Sequence, residues 1–198
     1  MKLKNITFKK NVIWGDASAS FGQGAIINTV SGKNGSGKTS LFSQVVLVQK
    51  AFFCNLLEEA GLKEYDGKNV RDMLGREIYK TMNESRSSVV VNIAFEKKDF
   101  LLISDKKAYE SLSKSSNEDG EVEIEIGLYI DGTKEDLSLW DIKIADEQKE
   151  LLKLFWNLDF PVCFFTYIQA DRVVFESDIK YEDVRLKQEA KYSSVLSC

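Results

Sequence analysis

Eight consecutive residues, Gly32-Lys33-Asn34-Gly35-Ser36-Gly37-Lys38-Thr39, carry the side-chain types that grip a polyphosphate. They match G-x-x-x-x-G-K-S/T, the phosphate-binding P-loop pattern. Gly35 and Gly37 lack a Cβ, so the backbone can curl tightly and let a ligand come close. Curled N–H groups form a nest for anions. Lys38 brings a positive charge to the β- and γ-phosphates. The hydroxyl of Thr39 is a hard oxygen ligand suited to Mg²⁺. The candidate phosphate contacts are therefore Gly32, Lys33, Asn34, Gly35, Ser36, Gly37, Lys38, Thr39 and Ser40, with Thr39 on the metal.

Such a loop works only between elements that hold it. Residues 25–30, Ala-Ile-Ile-Asn-Thr-Val, are short and β-branched and predict a strand. Residues 41–57 place Phe42, Val45, Val46, Phe52, Phe53 and Leu56 at helical spacing. Strand, loop and helix in that order seat the phosphates on a helix N-terminus, where the peptide dipoles favour negative charge.

Composition narrows the class. Of 198 residues, 43% are apolar and 29% charged, as in a globular protein long enough for one sizeable core. The net charge is −4, so no overall basic excess points to nucleic acid, although a local basic face is compatible with it. Lysines interleave with the first apolar residues, unlike a signal peptide. No apolar run reads as approaching a membrane span in length and composition. The three cysteines, Cys54, Cys163 and Cys198, have no C-x-x-C spacing. Cys54 and Cys163 sit in apolar patterns and are expected to pack as small hydrophobes. A cytoplasmic location is expected. The chain has no histidine, which excludes histidine metal sites and histidine acid–base catalysis.

The rest of the chain reads as follows. Residues 1–9 alternate as a strand that continues irregularly to Trp14. Gly15-Asp16 signals a turn, and residues 17–21 a second strand. Two strands ahead of the P-loop strand already depart from a simple kinase. The helix after the loop is expected to end near Gly61. Asn69 is a candidate cap for a helix carrying Val70, Met73, Leu74, Ile78 and Met82. Residues 89–95 and 100–103 predict a hairpin, and 111–120 an exposed loop. Val122, Ile124, Ile126, Leu128 and Ile130 alternate with Glu121, Glu123, Glu125 and Tyr129, which predicts a strand with one wet face rather than an acidic metal cluster. Asp131-Gly132 turns the chain into a partner strand over 137–144. Asp146 can cap a helix through Leu151, Leu152, Leu154 and Phe155. Residues 162–168 are nearly all apolar and predict a strand buried on both faces, running into Gln169-Ala170-Asp171-Arg172. Residues 177–192 are charged and compatible with helix.

Hydrolysis needs more than a phosphate cradle. An apolar strand ending in Asp-Glu, the Walker B pattern, should supply an acid on the Mg²⁺ side. The nearest match, Leu128-Tyr129-Ile130-Asp131, is followed by Gly132 and reads as the end of a surface hairpin strand.

The opening Met1-Lys2-Leu3-Lys4-Asn5-Ile6 and the stretch from Ser31 to Leu41, with its wording G-x-N-G-S-G-K-S/T-S-L, resemble the N-terminal lobe of ABC-type ATPases of the SMC, RecF and OLD groups. Tyr167-Ile168-Gln169-Ala170-Asp171-Arg172 also resembles a segment of OLD-like and bacterial-defence ATPases. The resemblance implies an α/β P-loop NTPase fold: an ABC-ATPase head N-lobe with a mixed sheet, an antiparallel β section and flanking helices. It implies one lobe over 1–198, divided into a P-loop core (1–62), a helical and β-rich section (63–160), and a buried strand, Q-loop and helical arm (161–198). Its cofactors would be ATP and Mg²⁺. Lys38 and Gln169 would be the catalytic residues, Gln169 reaching Mg²⁺ or the attacking water; on the defence-type reading Asp171 and Arg172 also matter.

The implied function is ATP hydrolysis coupled to head dimerisation and DNA binding, in repair, chromosome maintenance or anti-phage defence. The implied partners are a second ATPase head or the C-terminal lobe, DNA, and a nuclease or effector subunit, with no membrane. A glycine-rich signature, Walker B and the switch histidine are missing, so the chain is expected to be truncated or to have its other half in a separate polypeptide. The alternatives are a self-contained P-loop kinase or GTPase, or a module that holds nucleotide without turning it over.

Overall fold

A computed structural model of the chain describes residues 2–22, 30–33, 35–59, 67–82, 86–96, 99, 110, 114, 116–130 and 139–156. β1 (Lys2–Asn11) and β2 (Gly15–Ser20) form a hairpin, followed by α1 (Lys38–Glu59) and α2 (Gly67–Thr81). β3 (Ser88–Glu96), β4 (Glu121–Ile130), β5 (Trp140–Lys143) and α3 (Asp146–Trp156) complete the described elements. The five strands form one open sheet in the order β2-β1-β3-β4-β5, and every pairing in it is antiparallel. The fold is thus α/β with an antiparallel sheet and helices. The mixed sheet expected from the sequence is not found among the described strands, which are all antiparallel. Residues 25–29 and 162–168 lie outside the described residues, and Val30 itself is not in a strand.

The sheet has two unlike faces because side chains alternate along a strand. One face carries Ile6 and Phe8, Val89, Val91, Ile93 and Phe95, Val122 through Ile130 at every second position, and Trp140 and Ile142, all buried. α1 packs on this face, against β3, β4 and β5, and α2 packs on α1. Each fully buried Ile, Leu or Phe side chain contributes about 1.5–3 kcal/mol. On the other face Glu123 and Glu125 are exposed, as expected of a wet face. Glu121 departs from the pattern: it is only 9% exposed and pairs with Lys2 and Lys4 at the edge of β1. Lys2 also pairs with Glu96, whose carboxylate holds the ammonium above its ordinary pKa.

β4 outruns β5. Beyond Gly127 its edge would lack a partner strand, and Gln148 of α3 serves instead. Its amide oxygen accepts from the Glu125 N–H at 3.1 Å and its amide nitrogen donates to the Glu123 carbonyl at 3.2 Å. Leu152, fully buried, anchors the same helix in the core. Asp146 stands with Glu147 in the first turn of α3, where their charges suit the helix dipole.

Several sequence expectations are corrected. The turn before β2 is at residues 12–14, and Gly15-Asp16 already belongs to β2. The cause is Asn11, whose side-chain oxygen accepts from the N–H groups of Ile13 (3.0 Å) and Trp14 (3.1 Å) and so starts the turn earlier. A bulge precedes it: the β1–β2 register shifts between Phe8 and Asn11, and Lys10 takes a φ of +50°. α2 begins at Gly67, so Asn69 lies inside its first turn and is not its cap. Met73 is 60% exposed, because the buried stripe follows Leu74, Ile78 and Tyr79. Glu110 and Lys114 have helical backbone, so 111–120 is not loop throughout; Asn117–Gly120 is exposed.

α1 corrects the membrane expectation too. It is long and apolar enough to cross a bilayer by length and composition, yet 72% of its most apolar stretch is buried inside the protein. A helix apolar on most of its circumference fits the middle of a fold equally well. Cys54 is fully buried in it, as expected; Cys163 and Cys198 lie outside the described residues. The expected helix end at Gly61, the strand over 100–103 and the turn at Asp131-Gly132 also lie outside them.

Candidate nucleotide-binding site

The P-loop residues stand at the head of α1, which starts at Lys38 and contains the helix expected over 41–57. Gly35 and Gly37 adopt φ of +79° and +83°, the left-handed region that glycine enters without a Cβ penalty. The expectation that these two glycines curl the loop is met in the backbone itself. The Leu41 N–H donates to the Gly37 carbonyl at 2.9 Å, so Gly37 is the last residue before the helix proper. The first turn of α1 contains no acidic residue, which leaves the positive end of the helix dipole unopposed.

Lys38 folds back over the loop. Its Nζ donates to the carbonyls of Gly32 (2.6 Å) and Lys33 (2.8 Å), and the Ser36 N–H donates to the same Lys33 carbonyl at 3.2 Å. These bonds tie the two ends of the loop together and hold the ammonium beside the curled amides. Thr39 is exposed and Ser40 half-exposed on the first turn. Gly32, Lys33, Gly35, Ser36, Gly37, Lys38, Thr39 and Ser40 are therefore gathered at one helix end. Asn34 lies outside the described residues, as do Gln169, Asp171 and Arg172.

A cleft of about 480 Å³ opens beside the loop. Ser31, Gly32, Ser36 and Lys38, with Ser18 and Ser20 of β2, form its polar side, and Phe8, Trp14, Phe21 and Val30 its apolar side. That size is within the usual range for small-ligand sites. Trp14 stacks on Phe8 with centroids 5.8 Å apart and rings inclined by 17°. The β1–β2 turn also underlies the loop. A Cβ on Gly37 would lie 2.9 Å from Trp14 Cζ2 and 3.3 Å from Ile13 Cγ2. Gly37 is thus required twice, by its φ and by this close approach.

Phe8 and Trp14 are the site residues that sequence reasoning missed. Phe8 reads only as a core position in an alternating strand, and no local pattern ties Trp14 to a loop so far along the chain. The stretch from Leu128 to Ile130, weighed against a Walker B strand, is the end of β4 in the antiparallel sheet, paired through Ile130 with Trp140 of β5. Among the described residues, no group of three or more His, Cys, Asp or Glu side chains is placed to hold a metal. No protein-family model matches this chain, and no curated protein matches it in sequence.

Proposed function

We propose that this chain is the ATP-binding half of an ABC-type ATPase head of the SMC, RecF and OLD kind. In the assembled protein, ATP binding and hydrolysis would drive head dimerisation and be coupled to DNA, in repair, chromosome maintenance or defence against phage. The observation that carries this reading is the P-loop sequence at the head of α1, with Gly35 and Gly37 in the left-handed conformation and Lys38 folded over the loop. The β- and γ-phosphates would sit on the curled amides, and Lys38 would exchange its carbonyl partners for phosphate oxygens. Mg²⁺, when bound, would neutralise phosphate charge, and the Thr39 hydroxyl would be one of its oxygen ligands. Gln169 would orient water or reach the metal. The acid of Walker B and the glycine-rich signature would come from another lobe or head, so the 198-residue chain alone would bind Mg·ATP weakly and would not turn it over.

The test is titration of a fluorescent ATP analogue in Mg²⁺ against the chain, with turnover followed in parallel. The expected result is weak binding that Lys38→Ala lowers at least about tenfold, a loss of roughly 1.4 kcal/mol, and no hydrolysis. Brisk hydrolysis by the purified monomer, abolished by Lys38→Ala, would instead establish a self-contained P-loop kinase or GTPase.

A further inference from the structure

A second cleft, of about 420 Å³, lies where β1 and β4 end and β3 and β5 begin. Its lining gathers Lys9, Arg71, Arg86 and Lys143 against one acid, Asp141, in a chain whose net charge is −4. The sheet register explains the gathering. Lys9 pairs with Ser88, Ser88 with Tyr129, and Tyr129 with Asp141. Directly opposed residues share a face, so this row crosses four strands on the face away from α1, over roughly 14 Å. Lys143 pairs with Gly127 and so stands diagonally next to Tyr129. Arg86 enters from the turn before β3, exposed, its own N–H donating to the Ile130 carbonyl.

The centre of the row is an aromatic platform. A Cβ on Gly127 would run into the Tyr129 ring, coming within 2.8 Å of its hydroxyl oxygen, so the ring lies down over the glycine. The Lys143 ammonium sits 4.8 Å from the ring centroid. Burial, with a smaller contribution from Glu125, raises the Tyr129 pKa, so the ring stays neutral at physiological pH. Arg71 is committed elsewhere: it pairs with Glu58, donates to the Trp140 carbonyl and lies 4.1 Å over the Trp140 ring. That leaves Lys9, Arg86 and Lys143 as exposed cations around a ring laid flat on a sheet.

We infer that this cleft binds a single strand of nucleic acid, with a base stacked on Tyr129 and Lys9, Arg86 and Lys143 on the phosphodiester backbone. A flat ring among cations is the means by which sheets take unpaired strands, because every base has a π-face. A base inside a duplex is already stacked on its neighbours, so the ring has no use for one. The exposed Glu123 and Glu125 further along β4 confine the basic surface to this end of the sheet and repel a broad duplex footprint. When a base arrives, Lys143 leaves the ring for a phosphate. The inference rests on the nucleic-acid partner in the proposed function and is independent of the P-loop.

The experiment is fluorescence anisotropy with the whole chain and no ATP, using a labelled thymidine oligomer of about 15 nucleotides and a duplex of equal length. The single strand should bind at least about fivefold tighter than the duplex. Its affinity should fall with log salt at a slope of about −2, as three phosphate contacts require. Arg86→Glu/Lys143→Glu should weaken binding at least about tenfold, Tyr129→Leu severalfold and Tyr129→Phe little, while Lys38→Ala leaves it unchanged. Tighter binding of the duplex, no binding of either, or single-strand binding indifferent to the Arg86/Lys143 double substitution would overturn the inference. Failure of the unmutated chain to bind the ATP analogue, with single-strand binding retained, would overturn the nucleotide reading alone.

Discussion

The two clefts are built by opposite means. The P-loop cleft gets its cation and its curled amides from one short stretch of chain, and its chemistry belongs largely to the backbone: two left-handed glycines, a row of amides and a helix end. The cleft at Tyr129 takes its cations from β1, the turn before β3, and β5, and its chemistry belongs to side chains that meet only because the strands pair in one register. A backbone site needs a small number of residue types at fixed spacing, so it can be read from eight letters. A register site has no such signature, since neither Lys9 nor Arg86 nor Lys143 is unusual where it stands. The difference predicts different sensitivities. The first site should break on conformation and the second on charge.

Gly37→Ala tests this most severely. It places a Cβ at φ +83°, a cost of about 1–2 kcal/mol, and sets it 2.9 Å from Trp14, where overpacking costs about 1–3 kcal/mol more. Chemical denaturation should record a loss of several kcal/mol, and ATP-analogue affinity should fall by tenfold or more. A fully stable Gly37→Ala protein would show that the turn under the loop yields freely and would weaken the contrast between the sites.

Gly127→Val probes the other cleft with a smaller expected effect. The valine would push the Tyr129 ring off the sheet; because the ring tip can swing away, the stability loss should be near the low end of overpacking, about 1 kcal/mol. Single-strand affinity should drop roughly fivefold, the low end of what one base stack contributes, with ATP-analogue affinity untouched. Equal losses at both sites would mean that the sheet, rather than the platform, had been damaged.

The smallest effect concerns pH. The Tyr129 pKa is raised in the folded chain above its ordinary value of 10.0, chiefly by burial. Above pH 10 the unfolded chain loses the phenolic proton while the folded chain keeps it, so folding stability falls from there up to the folded pKa. Thermal melts across this range should show a shallower decline for Tyr129→Phe than for the wild type. The Lys2 ammonium, raised by its hydrogen bond to Glu96, contributes a decline of the same sign above 10.5 that this substitution leaves in place. Identical slopes for the two proteins would mean that the ring is as well solvated folded as unfolded.

How much of this was legible in the sequence follows the same division. α1 and the alternation of β4 were legible because each is set by neighbours a few residues apart. The same alternation misled at Glu121, which reads as wet but is buried between β1 lysines that lie far off in sequence. The turn at Gly15 was misplaced because glycine is the louder signal, whereas the Asn11 side chain decides where the backbone folds back. The position of β1 between β2 and β3 was not legible at all; it arises from pairing across two intervening helices. Of the expected site residues, the described part of the P-loop lies together at the start of α1. Gln169 and Asn34 fall outside the described residues.

The bulge at Lys10 has a bearing on inheritance. Phe8 and Lys9 are adjacent, yet one lines the P-loop cleft and the other the Tyr129 cleft. A codon gained or lost between Asn5 and Phe8, where the pairing with β3 is regular, would shift every following side chain to the opposite face. Such a change would send lysines into the core and exchange the contributions of β1 to the two clefts. Between Phe8 and Asn11 the strand already carries an irregular register, and one residue more or fewer there changes only the shape of the bulge. Insertions and deletions should therefore survive here and at the second irregularity of β1, between Leu3 and Asn5 against β3, and be eliminated in the regular stretch between them, which makes these one-residue irregularities the places where the strand can vary in length over evolutionary time.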